Sequence, residues 1–141
     1  MQTLSPRLAA VVDALPLSPG LRVLEFGCGP GAATREVARR VGPAGFVLGV
    51  DRSAKAIEQA LAQEQSSPGT LAFRRSTIEA FELEPGEQPY DLAFAIRVGA
   101  LDGRHPDLEQ QALARIAAAL TPTGQLFIDG GNPLRELDLT R

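Results

Sequence analysis

LRVLEFGCGPGAAT, residues 21–34, is the stretch on which the reading of the whole chain turns. An apolar run of Val23, Leu24 and Phe26 carries a single acid, Glu25, and then breaks into Gly27-Cys28-Gly29-Pro30-Gly31 ahead of a helical pattern. A short apolar segment ended abruptly by glycines has the form of a buried parallel strand. Glycines at alternate positions permit turns that a side chain forbids, and they let a ligand approach the main chain closely. The helix that follows presents unpaired N–H groups to whatever occupies the turn. The stretch predicts a nucleotide-type site at a strand end.

Working outward, residues 5–15 (SPRLAAVVDAL) read as a helix, with Ser5 as N-cap, Pro6 at the first helical position and a stripe of Leu8, Val11, Val12 and Leu15. This helix is expected to pack on the first strand, residues 22–26, with covering of the ligand as its other role. Helix 32–41 stops at Gly42-Pro43. Strand 46–50 ends in Asp51, and helix 53–65 carries Ala56, Ile57, Ala60 and Leu61 inward. After a loop at 66–69 come a short strand at 71–74 and a mixed segment at 76–89 anchored by Ile78 and Phe81. The pattern closes with strand 90–96, a polar loop at 99–105, helix 106–120, a turn at 121–124 (TPTG) and strand 125–128. The tail, 129–141, is irregular by pattern. Strands alternating with helices at short loop lengths imply an α/β three-layer sandwich around a mainly parallel, five-stranded sheet. In such sheets, ligands bind beyond the carboxyl ends of the strands, at the switch in strand order.

At 141 residues the chain is expected to form one domain over 1–141. Its net charge is −3, and all but one of its 14 basic residues are arginine, Lys55 being the exception. No basic run exceeds two residues, which gives nucleic-acid binding little support. The single cysteine, Cys28, excludes an intrachain disulfide, and with His105 it cannot build a structural zinc site, so no metal is expected. No stretch approaches the ~18 apolar residues of a membrane span, and no signal-peptide pattern opens the chain. The default compartment is the cytoplasm.

Glu25-x-Gly27-x-Gly29-x-Gly31 resembles the signature loop of class I S-adenosylmethionine-dependent methyltransferases. Gly27-x-Gly29-x-x-Ala32 also satisfies a dinucleotide fingerprint, with Asp51 where a ribose-binding acid belongs, so an NAD(P)-dependent oxidoreductase competes for the loop. Glu25 separates the two. A carboxylate suits the cationic amino group of S-adenosylmethionine and repels a pyrophosphate. A short-chain dehydrogenase also needs a tyrosine with a lysine four residues on, and Tyr90 is followed at that distance by Phe94.

The resemblance, extending over about residues 20 to 130, implies a Rossmann-like sheet of order 3-2-1-4-5. It further implies that Asp51 accepts the ribose hydroxyls, capping of helix 53–65 being the competing role, and that Arg52 lies along the adenine. Many family members place an aspartate after strand three to take the adenine amino group. Here Ser76-Thr77-Ile78-Glu79 stands instead. Ser76 is a weaker acceptor, Ile78 can pack on the ring, and Glu79 reads as a solvated acid. Glu25, Gly27, Gly29, Gly31 and Asp51 form the expected cofactor site, lined further by Cys28, Arg52, Ser76, Thr77, Ile78 and Ala95. PYDLAFA (89–95) and LARIAAALTPTGQLFI (113–128) are similar to the family's fourth strand and its closing helix, turn and fifth strand.

Methyl transfer needs a positioned acceptor and, for some acceptors, a general base. The loop after strand four offers His105 and Asp102 as candidates for the base, and Arg97 and Arg104 as holders of an acidic acceptor. The competing readings are an exposed helix-start histidine and arginines paired with surface acids such as Asp107. No amino-methylating DPPY-type motif or Pro-Cys motif follows this strand, which points to a small-molecule acceptor rather than nucleic acid. The family's last two strands are missing from the pattern, leaving strand five as a bare edge. The tail, a second copy in a homodimer or a partner subunit is expected to cover it. The same shortness admits a non-catalytic cofactor-binding subunit that needs a partner.

Overall fold

The computed structural model describes residues 4–63, 70–101 and 103–139. Helix α1 (Pro6–Ala14) precedes β1 (Arg22–Phe26), α2 (Ala32–Val41), β2 (Phe46–Asp51), α3 (Ala54–Ala62) and β3 (Leu71–Arg75). Then come β4 (Tyr90–Ala95), α4 (Pro106–Ala119), β5 (Leu120–Asp129) and β6 (Leu134–Leu137). The strands form one sheet in the order β3-β2-β1-β4-β5-β6, parallel except for the antiparallel pair β5–β6.

Side-chain alternation sorts β1 between two cores. Leu24 and Phe26 join Leu48, Val50, Ala93, Ala95 and the α4 residues Ala112, Ile116 and Ala119 on one face. Val23 joins Val11 and Val12 of α1 with Val37 and Ala38 of α2 on the other. Two serines cap as their positions predict: Ser5 Oγ accepts the Leu8 N–H at 3.2 Å and Ser53 Oγ accepts the Ala56 N–H at 3.1 Å. Helix α3 is tied to α2 through Arg35, whose Nη2 donates to the Ala60 carbonyl at 3.0 Å. Among the described residues no helix is long and apolar enough to cross a membrane.

The sheet departs from expectation at its far edge. It has six strands rather than five, because residues 134–137 of the tail pair with β5, Leu126 opposite Leu137 and Asp129 opposite Leu134. Strand four stops at Ala95, and α3 is observed as Ala54–Ala62, with residues 64–65 of the expected helix outside the described residues. Strand five starts at Leu120 instead of Gln125. The TPTG segment bulges from within it, since Tyr90 faces Leu120 and Leu92 already faces Gln125. Gly124 makes that bulge possible, because a Cβ there would stand 2.8 Å from Leu120 Cβ. The segment 76–89 holds neither helix nor strand and is pinned by buried Ile78 and Phe81.

Candidate functional site

The carboxyl ends of β1, β2, β3 and β4 open onto one cavity of about 970 Å³. Past β1, Gly27, Gly29 and Gly31 adopt φ of 75°, 55° and 92°, a left-handed region that side chains strain. The N–H groups of Gly27 and Cys28 both donate to the Val50 carbonyl, at 2.7 and 3.0 Å, folding the turn back over β2. A methyl group on Gly29 would meet nothing within 4 Å, whereas one on Gly31 would stand 2.6 Å from Phe73 Cζ. Gly31 therefore serves the packing of the turn and does not line the cavity.

Asp51 ties the turn to the next element. Its Oδ2 accepts the Gly29 N–H and its Oδ1 the Ser53 N–H, each at 2.9 Å. A carboxylate offers about four lone-pair positions, so acceptor capacity remains beside the cavity that Asp51 lines. The two roles weighed for it from sequence are compatible, since it both braces the start of α3 and faces the cavity.

Glu25 is buried at 4 % exposure yet lines the same cavity. Across the sheet it stands in register with Gly49 on β2 and Phe94 on β4, and Gly49 in turn with Phe73. Gly49 leaves the space that Phe73 and Thr34 occupy, at 2.8 and 3.1 Å from where its Cβ would be. The Thr34 hydroxyl donates to Glu25 Oε1 at 2.6 Å. Burial in this apolar row pushes the Glu25 carboxyl up to about 8, the Thr34 bond opposing and the Asp51 charge adding to the rise. The standing carboxylate read from the sequence is thus a neutral acid near pH 7. Burial likewise pushes the Cys28 thiol up, so Cys28 lines the cavity as an unreactive wall.

Ser76, Thr77, Ile78 and Arg52 line the cavity, and so does Glu79, which reads from sequence as a solvated acid. The Ser76 hydroxyl donates to the Thr77 carbonyl at 2.8 Å, which leaves its oxygen as an acceptor. Ala95 does not reach it. In register with Phe26, it points into the α4-side core.

Beyond β4, Arg97, Val98, Gly99, Arg104 and His105 form a wall of the cavity. Arg104 and His105 fold over Gly99: a methyl group there would stand 3.2 Å from Arg104 Nη2 and 3.3 Å from His105 Cδ2. His105 is the exposed N-cap residue of α4 and makes no side-chain capping bond. Asp102 lies outside the described residues. Arg97 takes φ 57°, and its N–H donates to Asp129 Oδ1 at 3.2 Å, while Asp129 Oδ2 pairs with Arg7 Nη2 at 3.0 Å. Ser5, Arg7 and Leu8, the first turn of α1 and its cap, complete the wall. Sequence reasoning put core packing first for this helix, with Ser5 as its cap and covering of the ligand as its other role, and the contact of Arg7 with a residue 122 positions away shows how its first turn is held at the cavity.

The profile of the family described as methyltransferase domain matches residues 17–139. The chain belongs to that family. This methyltransferase domain is similar to a trans-aconitate 2-methyltransferase of Paracidovorax citrulli, 35% identical over 114 residues that cover 81% of this chain and 40% of that protein. It is 31% identical over 135 residues to a nocamycin O-methyltransferase of Saccharothrix syringae, covering 91% of this chain and 44% of the other. Among solved structures, an S-adenosylmethionine-dependent methyltransferase from Mesorhizobium loti matches with a TM-score of 0.65 at 25% identity, covering 84% of this chain and 50% of that one. The methyltransferase domain spans less than half the length of these two curated relatives.

Proposed function

We propose that this domain binds S-adenosylmethionine and transfers its methyl group to an anionic small molecule, in the cytoplasm. The observation that carries the reading is Asp51, which braces a left-handed glycine turn through Gly29 and keeps acceptor capacity toward the cavity. The residues present suit the cofactor. Asp51 would take the ribose hydroxyls, and Ile78 and Arg52 would lie along the adenine, with the Ser76 oxygen facing its amino group. The open edge at Gly29 admits close approach of a ligand to the main chain. The uncapped N-terminus of α2, where Gly31 makes no side-chain cap bond, suits the carboxylate of the methionine tail. Glu25 suits its ammonium group. When bound, the cofactor supplies an electrophilic methyl group on a sulfonium.

Arg97, Arg104 and His105 favour an acceptor carrying a carboxylate, in keeping with the name of the trans-aconitate relative. A carboxylate arrives with its lone pair free, so no group in the wall needs to take a proton. Arginine suits such a group through paired N–H donors. His105 then serves as a polar wall rather than a base. A second reading is a cofactor-binding chain whose acceptor side a partner completes.

Calorimetric titration of S-adenosylmethionine, S-adenosylhomocysteine and NAD into wild type and Asp51→Ala tests the first part. The first two ligands should bind, each weakened by about 1–3 kcal/mol in the variant through loss of charged hydrogen bonds. Binding of NAD alone would overturn the reading. Transfer of labelled methyl to di- and tricarboxylates, set against neutral alcohols, separates an active domain from a binding chain.

A further inference from the structure

We propose that Glu25 is a proton-exchanging, charge-selective group of the cofactor pocket: neutral while the pocket is empty, it gives up its proton when the cofactor's ammonium group arrives. The inference rests on the cofactor reading above and adds what the acid does there. The process balances as a transfer to solvent. The carboxyl loses H⁺ to the buffer, the ligand keeps its ammonium protons, and a carboxylate–ammonium contact forms beside the Thr34 hydroxyl, which donates to either form of the acid.

Geometry carries the argument. Glu25 lines the cavity from inside the sheet, in a row with Phe94, Gly49 and Phe73. From α2 it meets the Thr34 hydroxyl, from the end of β2 the Asp51 carboxylate, and from the turn the protonated Cys28 thiol. No arginine, lysine or histidine among the described residues forms an ion pair with it; Arg35, the nearby cation of α2, acts on Cys28 and bonds to the Pro30 and Ala60 carbonyls. A carboxylate in such a place has no counter-charge and a negative neighbour, which favours the neutral form. Its upward shift to about 8 agrees with that environment. A cation entering the cavity supplies the missing partner. A ligand carrying phosphates there would find a neutral acid and gain nothing from it.

Proton exchange is measurable without turnover. Wild type is titrated with S-adenosylhomocysteine at pH 6.5 in phosphate and in imidazole buffers, whose ionisation enthalpies differ. The dependence of the observed heat on buffer should correspond to nearly one proton released per ligand bound. 5′-Methylthioadenosine, which lacks the ammonium and carboxylate, should release none. Affinity for S-adenosylhomocysteine should rise about tenfold per pH unit from 6 to 7.5. Glu25→Gln, which keeps a neutral polar group beside Thr34, should bind both ligands with no proton exchange and lose most of the preference for S-adenosylhomocysteine. Binding of S-adenosylhomocysteine to wild type with no proton exchange overturns the proposal, as does an unchanged release in Glu25→Gln. Should that variant not fold, the contrast between the two ligands on wild type decides alone. If S-adenosylhomocysteine does not bind wild type at all, the cofactor reading itself fails.

Discussion

Glu25 stands in a row with Phe94, Gly49 and Phe73, near the like charge of Asp51 and the Cys28 thiol, with a bond from the Thr34 hydroxyl, and this has a consequence for stability as well as binding. Below pH 4.5 the acid is protonated whether the chain is folded or not; between there and about 8 only the unfolded chain sheds the proton. The folded state then holds more protons, so stability falls as pH rises through this window and levels off above it. The thermal midpoint of the ligand-free protein should therefore drop from pH 5.5 to 8.5, and in Glu25→Gln the drop should be smaller; equal slopes in the two proteins would count against the assignment. The position of Glu25 was legible from the strand-and-glycine pattern, but its charge state was not. The burial that neutralises it is built in part by Phe73 and Phe94, from two other strands, and it outweighs the opposing bond from Thr34 of α2. For Asp51 the brace to the start of α3 was legible, because a strand-end acid stands just ahead of Ser53, while its bond to the Gly29 N–H was not.

Among the elements, β5 and β6 show where periodicity stops informing. LREL has no alternation that marks a strand, and it pairs because β5 offers an unfilled edge. The expectation that something must cover that edge was a physical argument and named the tail among its answers. Removing residues 130–141 should bare the edge, and light scattering should then show dimers or larger species where the full chain shows fewer. A truncated chain that stays as monodisperse as the parent would refute this. Helix α1 was legible as an amphipathic element with its cap and its proline, yet it carries two functions on one stretch. Val11 and Val12 pack the core while Ser5, Arg7 and Leu8 face the cavity. The second role depends on Asp129, at the far end of β5, and no local pattern announces such a contact.

For the molecule as a whole, the sheet divides its tasks along the strand direction. Where β1, β2 and β4 begin, Arg22 lies over the rings of Phe46 and Tyr90, 5.1 and 4.7 Å from their centroids, and bonds to the Gln88 and Pro89 carbonyls. Where they end, the cavity opens. Arg22→Ala should cost about 1–3 kcal/mol in chemical denaturation and leave the affinity for S-adenosylhomocysteine within twofold; a large loss of binding would contradict this separation. The layered α/β architecture was legible because alternation of strands and helices is a long-range regularity, whereas the strand order came only from the family resemblance. Arg97 and Arg104 already read from sequence as holders of an acidic acceptor, and the structure adds that they share one wall of the cavity with His105. The strand order has one more effect, on time rather than on shape. β1 pairs with β4 across a stretch of chain that holds β2 and β3, a larger loop to close than for its pairing with β2, so the two banks of the cavity are expected to meet late in folding. A ligand that touches both banks finds no foothold in the transition state, and it acts as a brake on opening instead: S-adenosylhomocysteine should slow unfolding while leaving the refolding rate where it was.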